Sequence, residues 1–291
     1  MNDIIFYQKI NKNHKDQVGN KAFNIHKLDK HGVGIGKFIV LTTHFFDNIL
    51  ETKELRILKA ELNSCNTGSL DKHKTDISQQ FKNIRIYINQ RDFTKDIQQK
   101  LAKAVVKLKA NKYAVRSSAN FEDGVNCSFA GLFDTFLGVS KDNLMDAIKR
   151  CYASIFSLQV LTYCLYNKLD FSQIKMAVII QKMVEAEKGG VIFTSNIFNH
   201  KENQIVIEAA KGLGEKVVSG LVNPQRLIFN KATGRCINGQ IGMQKQVLNF
   251  NEAFKLFKLA LKIEKLFSSP QDIEWAIEKG KIYVLQSRQI T

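Results

Sequence analysis

Residues 271–288, QDIEWAIEKGKIYVLQSR, bring a carboxylate, a carboxamide and a guanidinium into what alternating apolar and polar positions predict to be a β-hairpin. Glu274 lies on the first strand, and Gln286 and Arg288 on the second. Whether they cooperate depends on the turn at EKGK. A two-residue loop puts Glu274 opposite Leu285 and facing away from Gln286. A three-residue loop, Glu278-Lys279-Gly280, puts it opposite Val284, and Glu274, Gln286 and Arg288 then share one face. Gly280 suits the left-handed position that such a three-residue loop needs. Two hard oxygen ligands and a planar cation are what a Mg²⁺–phosphate site requires. A solvated edge hairpin with ordinary polar residues has the same pattern.

Two further segments could handle phosphate. VRSSANFED (115–123) places Arg116 at the end of a predicted strand, Tyr113–Arg116, and opens a Ser- and Gly-rich loop whose N–H groups and cation could hold a polyphosphate. GLGEKVVSG (212–220) contains GxG, but position 217 is Val, so the dinucleotide fingerprint GxGxxG is absent. The same segment also reads as a helix cap with tight packing.

The elements that must position these groups follow from periodicity. Residues 20–30 read as a short helix with Asn20 as its N-cap, and a helix is predicted from Thr42. Residues 46–100 are irregular, with weak helical periodicity near 50–62 and a strand-like IRIYI at 84–88. From Asp96 to Asn111, Ile97, Leu101, Ala104, Val105 and Leu108 form one face of an amphipathic helix. A strand at 134–139 and helical signals over 141–168 come next. Strands then read at Met176–Val184, Gly190–Ser195 and Gln204–Ala209, and a helix over 251–267 stops before Pro270. This mixture predicts α+β lobes rather than one doubly wound sheet.

Composition bounds the rest. The 291 residues carry 43 Lys and Arg against 27 Asp and Glu, a net charge of +16. The lysines are scattered, which describes a solvated surface better than a nucleic-acid face, so no nucleic-acid partner is expected. No apolar run approaches the roughly 18 residues of a membrane span, and no signal-peptide pattern opens the chain. Five dispersed cysteines without CxxC spacing argue against disulfides and zinc, and fit a cytoplasmic protein.

Taken together, seven blocks resemble the amino-terminal nucleotide-binding domain shared by phosphoenolpyruvate synthase, pyruvate phosphate dikinase and rifampin phosphotransferase. They are VGNKAFNIHKL (18–28), YAVRSSANFED (113–123), SFAGLFDTFLGV (128–139), VIIQKMV (178–184), GGVIFTSN (189–196), GLGEKVVSGLVNP (212–224) and DIEWAIEKGKIYVLQSR (272–288). The resemblance covers essentially the whole chain, with 38–112 matching least. It implies an ATP-grasp fold with an amino-terminal lobe over 1–183, a carboxy-terminal lobe over 184–291, and ATP bound between them.

The resemblance also implies roles. Lys21 and Arg116 would hold the triphosphate, with Gly131 and Thr135 in the loop above it. Gln181, Met183 and Val184 would receive adenine, and Glu187 the ribose. Glu274 and Gln286 would bind Mg²⁺, and Arg288 the transferring phosphate. Departures are Asp134 where the family commonly has Glu, Gln159 and Cys164 where it has arginines, and Gly34-Ile35-Gly36 where it often has proline.

The implied activity is that of an ATP-dependent phosphotransferase component. A phosphoryl group passes from MgATP to a histidine on a separate swivelling domain, in cis or in trans, and AMP and phosphate are released. None of the six histidines here lies in a swivel-like motif, so the chain needs a histidine-bearing domain to complete the reaction. The alternatives are the nucleotide-binding part of an enzyme that phosphorylates an antibiotic or small amide, and a non-catalytic ATP-sensing module.

Overall fold

The computed structural model describes residues 3–50, 67–122, 129, 131–218, 220–238 and 246–290. The periodicity near 50–62, most of the loop over 123–130, and Cys65 and Cys127 fall outside these residues. The chain forms two compact units, one of Met1–Phe23 with Lys37–Met183 and the other of Asn24–Gly36 with Val184–Thr291. Residues 24–36, read from the sequence as part of the amino-terminal lobe, thus cluster with the carboxy-terminal unit.

The first unit is built on a five-stranded antiparallel sheet. Strands β1 (Ile4–Phe6), β2 (Phe38–Leu41), β3 (Lys112–Ala119), β4 (Thr135–Ser140) and β5 (Met176–Lys182) take the order β1-β2-β5-β3-β4. Ile39, Leu41, Val115, Val178 and Ile180 face a core shared with helices 67–90, 95–106, 144–153 and 158–166. Alternation then turns Val40, Arg116, Ile179 and Gln181 to the opposite face.

The structure departs from the sequence expectation at several elements. IRIYI at 84–88 is not a strand but the last part of a 24-residue helix, Thr67–Gln90. Ile77, Phe81 and Ile88 are buried along one stripe, with Ile84 packed beside them, while Ile86 and Tyr87 are exposed. The β-branched alternation yields to helical spacing once that stripe has a core to fill. The strand read as ending at Arg116 continues through Ser117, Ser118 and Ala119, all buried. These serines are strand residues because the fold gives them partners: Ser118 Oγ donates to the Val18 carbonyl at 2.7 Å and accepts from Ala22 N at 3.1 Å.

The helix read over 20–30 runs over Lys15–Lys30, with Gly19 breaking helical geometry at φ 75° and ψ 165°. Asn20 donates its side-chain amide to the Glu122 carbonyl at 2.7 Å. Helical signals over 141–168 resolve into Leu144–Ala153 and Leu158–Tyr166, the second capped by the Ser157 side chain, which accepts from Val160 N. A serine that satisfies an orphan N–H restarts a helix at low cost.

The second unit carries a six-stranded antiparallel sheet. Strands β6 (Lys188–Phe193), β7 (Gln204–Lys211), β8 (Gln225–Asn230), β9 (Cys236–Asn238), β10 (Gln271–Glu278) and β11 (Lys281–Gln289) take the order β11-β10-β6-β7-β8-β9. The strands flanking EAEKGG therefore belong to different sheets. Helix Phe250–Phe267 opens with a capping box between Asn249 and Glu252 and ends at left-handed Ser268. Its apolar stripe, Ala253, Leu256, Phe257, Ala260 and Ile263, shares a core with Ile207, Leu227, Ile273, Trp275 and Val284. Trp275 is the largest fully buried side chain of the described residues, and its ladder partner on β6 is Gly190.

Gly190 explains the GG of GGVIF. A Cβ there would lie 1.9 Å from the Glu208 carbonyl oxygen and 2.8 Å from its carbon, both backbone atoms that cannot rotate away. A Cβ on Gly214 would lie 2.7 Å from Gly190 N, and one on Gly189 would lie 2.6 Å from Gly214 N, so GLGEKVVSG takes the tight-packing reading, with its short helix at Glu215–Val218. Gly190→Ala should cost about 3 kcal/mol, at the upper end for overpacking, and lower the urea midpoint without changing the secondary-structure content seen by circular dichroism.

Candidate functional site

The β10–β11 hairpin places its three polar groups together by a route that the sequence did not reveal. Glu278 pairs with Lys281, so the loop is the two-residue turn Lys279-Gly280, with φ of 49° and 72°, rather than the expected three-residue loop. Positive φ at both positions matches the twist of the flanking strands. Register holds from there to Trp275↔Val284 and then shifts, leaving Leu285 as the extra residue of a bulge and Glu274 opposite Gln286. Directly opposed residues have Cβ atoms about 5 Å apart on one face. Arg288 is opposite Asp272 on the same face.

Asp272 had no role in the sequence reading, yet it holds Arg288. The guanidinium donates from Nε at 2.9 Å and from a terminal nitrogen at 2.7 Å to a single carboxylate oxygen of Asp272. Burial pushes the Asp272 carboxyl above the ordinary aspartate value; Arg288 opposes the shift and the Glu274 charge adds to it. An acid raised in this way binds its proton more tightly in the folded state, so its contribution to stability is largest when protonated and falls as pH rises through the folded pKa. Relative to Asp272→Asn, which does not titrate, the native protein should lose stability between about pH 4, where unfolded aspartate titrates, and pH 7. Urea midpoints of both proteins at the two pH values check the sign.

The same sheet face continues along one ladder row. Glu274 pairs with Val191, Val191 with Glu208, and Glu208 with Arg226. Glu208 is buried and accepts from Arg226 Nε at 2.7 Å. The sequence reading passed over both, because each stands in an ordinary strand pattern; only register puts them in the row of Glu274 and Gln286.

Glu187 and Val184 lie at the end of this hairpin. Glu187 N donates to the Ile277 carbonyl, and its carboxylate accepts from Lys279 N at 3.2 Å, so it fastens the turn. Val184 is buried, and Glu185 N donates to the Glu278 carboxylate.

In the first unit, Arg116 and Thr135 are ladder partners on the sheet face turned away from the helical core. Gln181 pairs with Ala114, two residues along β3 from Arg116, and so shares that face. Arg116 and Gln181 are buried, at 6% and 1% exposure. Met183 N donates to the Lys112 carbonyl and continues that edge. Gly131 precedes β4 with φ 72°, and a Cβ there would meet nothing within 4 Å.

Lys21 is buried and ion-paired. Its ammonium donates to Glu122 Oε1 at 2.7 Å and lies 3.5 Å from Ser117 Oγ, while Glu122 Oε2 accepts from Ala119 N at 3.1 Å. Glu122 thus ties the lysine to the end of β3. Its signal was present in the block YAVRSSANFED, but no spacing rule connects residue 122 to residue 21.

The donor set fits a hard divalent cation. Glu274 and Gln286 supply oxygen only, and no group of three or more His, Cys, Asp or Glu side chains among the described residues could hold a metal ion. Two protein oxygens, completed by phosphate and water, is the usual pattern for Mg²⁺.

Comparison with known proteins places this chain in a class of nucleotide-binding domains. The chain belongs to the family described as pyruvate phosphate dikinase, AMP/ATP-binding domain, which it matches over residues 15–253 and 240–291. Membership carries the ATP-grasp assignment and, with it, ATP and Mg²⁺ as cofactors; the α+β class agrees with the two sheets and their helices. The chain is 32% identical to a probable phosphoenolpyruvate synthase of Methanocaldococcus jannaschii, over 100% of its own length and 27% of the relative's. It is also 32% identical to one of Methanothermobacter thermautotrophicus (99% and 46%) and 29% identical to a rifampicin phosphotransferase of Bacillus subtilis (99% and 36%). The chain therefore spans less than half the length of these relatives. Among solved structures, an L-amino acid ligase from Bacillus licheniformis aligns at 10% identity and a TM-score of 0.40, covering 93% of this chain and 42% of that one. No helix among the described residues is long and apolar enough to cross a membrane.

Proposed function

We propose that this chain is the MgATP-binding component of a dikinase-type phosphotransferase, handing a phosphoryl group from ATP to a histidine on a separate domain. The observation that carries the reading is the Glu274–Gln286 ladder pair, with Arg288 on the same face, in a chain that matches the family along nearly its whole length. Glu274 and Gln286 would hold Mg²⁺, which supplies charge neutralisation to the phosphates. Arg288 would release Asp272 and take a phosphate oxygen. Lys21 and Arg116 would hold the triphosphate below Gly131 and Thr135. Gln181, Met183 and Val184 would receive adenine, and Glu187 the ribose.

Phosphoryl transfer needs positioning and cations more than a general base, and these residues supply both. In the overall reaction ATP and water are consumed, the histidine keeps one phosphoryl group, and AMP and phosphate leave. Incubating the chain with ATP and a histidine-bearing domain from a phosphoenolpyruvate synthase should yield phosphohistidine and AMP. Failure to bind ATP by calorimetry would sink the reading. ATP binding without transfer to any such domain would favour a sensing module.

The Bacillus subtilis relative supports a second acceptor class, a small antibiotic. Swapping in the histidine and acceptor domains of a rifampicin phosphotransferase, and assaying the drug for phosphate, separates the two.

A further inference from the structure

A groove of about 910 Å³ on the first unit lies outside every residue assigned above. One wall is the helix Thr67–Gln90, which lines the groove with residues 74, 78, 81, 82, 85, 86 and 89, one face over four turns. That face is about 22 Å long at 1.5 Å per residue. The other wall is the helix Leu158–Tyr166 with the Ser157 that caps it.

Charge and apolar surface are segregated inside it. Lys74, Lys82 and Arg85 are exposed along the first wall, and none of the described residues lining the groove is acidic. The floor is apolar: Phe81 and Phe156 pack edge to face and both meet Phe171, with Leu132 alongside. At the rim, Ile86 is 44% and Tyr166 is 75% exposed, although both are large side chains that folding normally covers. Exposed Tyr, Ile and Arg around an apolar floor is the composition of an interface core.

We propose that this groove docks an acidic amphipathic helix of a partner protein. Its length and openness suit a helix of about four turns better than a compact small molecule, and a helix carries both surfaces at once. Leucine-type side chains at helical spacing would cover Leu132, Ile86 and Tyr166 above the buried Phe81 and Phe156, while carboxylates on the flank would face Lys74, Lys82 and Arg85. A chain of net charge +16 attracts an acidic partner over long range, and the groove converts that attraction into register.

The test uses the intact chain and two fluorescein-labelled 18-residue peptides sharing one leucine stripe, with glutamate at every other position in one and lysine in the other. The glutamate peptide should bind saturably at one site, and the lysine peptide should not. Lys82→Glu with Arg85→Glu should weaken binding more than about tenfold, and Tyr166→Ser should weaken it as well. The same charge change on the exposed face of the other unit, Lys255→Glu with Lys258→Glu, should change it by less than about threefold. Equal weakening by the two charge reversals, no effect of Tyr166→Ser, or no saturable binding would overturn the proposal.

Discussion

Under the proposed function, Glu274→Ala should reduce Mg²⁺-dependent phosphoryl transfer from ATP to the histidine-bearing domain by on the order of 10²–10³-fold while leaving the fold intact, since removing one preorganised electrostatic group at developing charge costs about that much. The half-buried Glu274 is opposite Gln286 on the polar sheet face, so its loss empties no hydrophobic core. It removes the charged half of the oxygen pair and leaves a carboxamide, a weak ligand for a strongly hydrated cation. Titrating MgCl₂ at fixed ATP is the informative measurement. The variant should need far more Mg²⁺ to reach half its residual rate, whereas damage to the fold alone would lower the rate at every Mg²⁺ concentration equally. Glu274→Gln should fall between the two, keeping an oxygen but not the charge.

Glu122→Ala should destabilise the first unit by about 3–5 kcal/mol, as much as truncating a core aromatic, because it leaves a buried ammonium without its counter-charge. The side chains of Lys21 and Glu122 are only 7% and 5% exposed, so water cannot replace the lost carboxylate. The same change also frees the Ala119 N–H that Glu122 Oε2 accepts from. Urea denaturation measures the loss. A Lys21→Met, Glu122→Leu double variant should recover most of it, since replacing a buried ion pair with apolar groups of similar volume is often neutral or stabilising. The double variant should nonetheless bind ATP more weakly, which separates the stability of the pair from the proposed task of Lys21.

What the sequence revealed, and what it concealed, follows from how local each signal is. The helix Phe250–Phe267 is legible almost to the residue, because its apolar stripe and Pro270 lie within one stretch of chain. The α+β class was legible for the same reason. IRIYI misled because three isoleucines at alternate positions satisfy a strand locally, and only the core around Ile77 and Phe81 selects the helix. The hairpin shows a subtler failure: its loop was assigned one residue too long, yet Glu274 and Gln286 still share a face, because the bulge at Leu285 supplies the register shift that the longer loop would have supplied. Glu122 went unseen because its partner Lys21 is chosen by tertiary packing rather than by spacing, and Asp272 because the bulge at Leu285 sets it opposite Arg288.

Trp275 carries a practical consequence. It is the chain's only tryptophan, its indole is fully buried in the second unit, and its Nε1 has no hydrogen-bond partner among the described residues. Six of the seven tyrosines, Tyr7, Tyr87, Tyr113, Tyr152, Tyr163 and Tyr166, lie in the first unit. The two halves of the molecule are thus spectroscopically labelled by their own residues. Excitation at the red edge, where only indole absorbs, reports the second unit alone through the red shift of its emission as solvent reaches Trp275. The order in which the units melt can then be followed without attaching a dye.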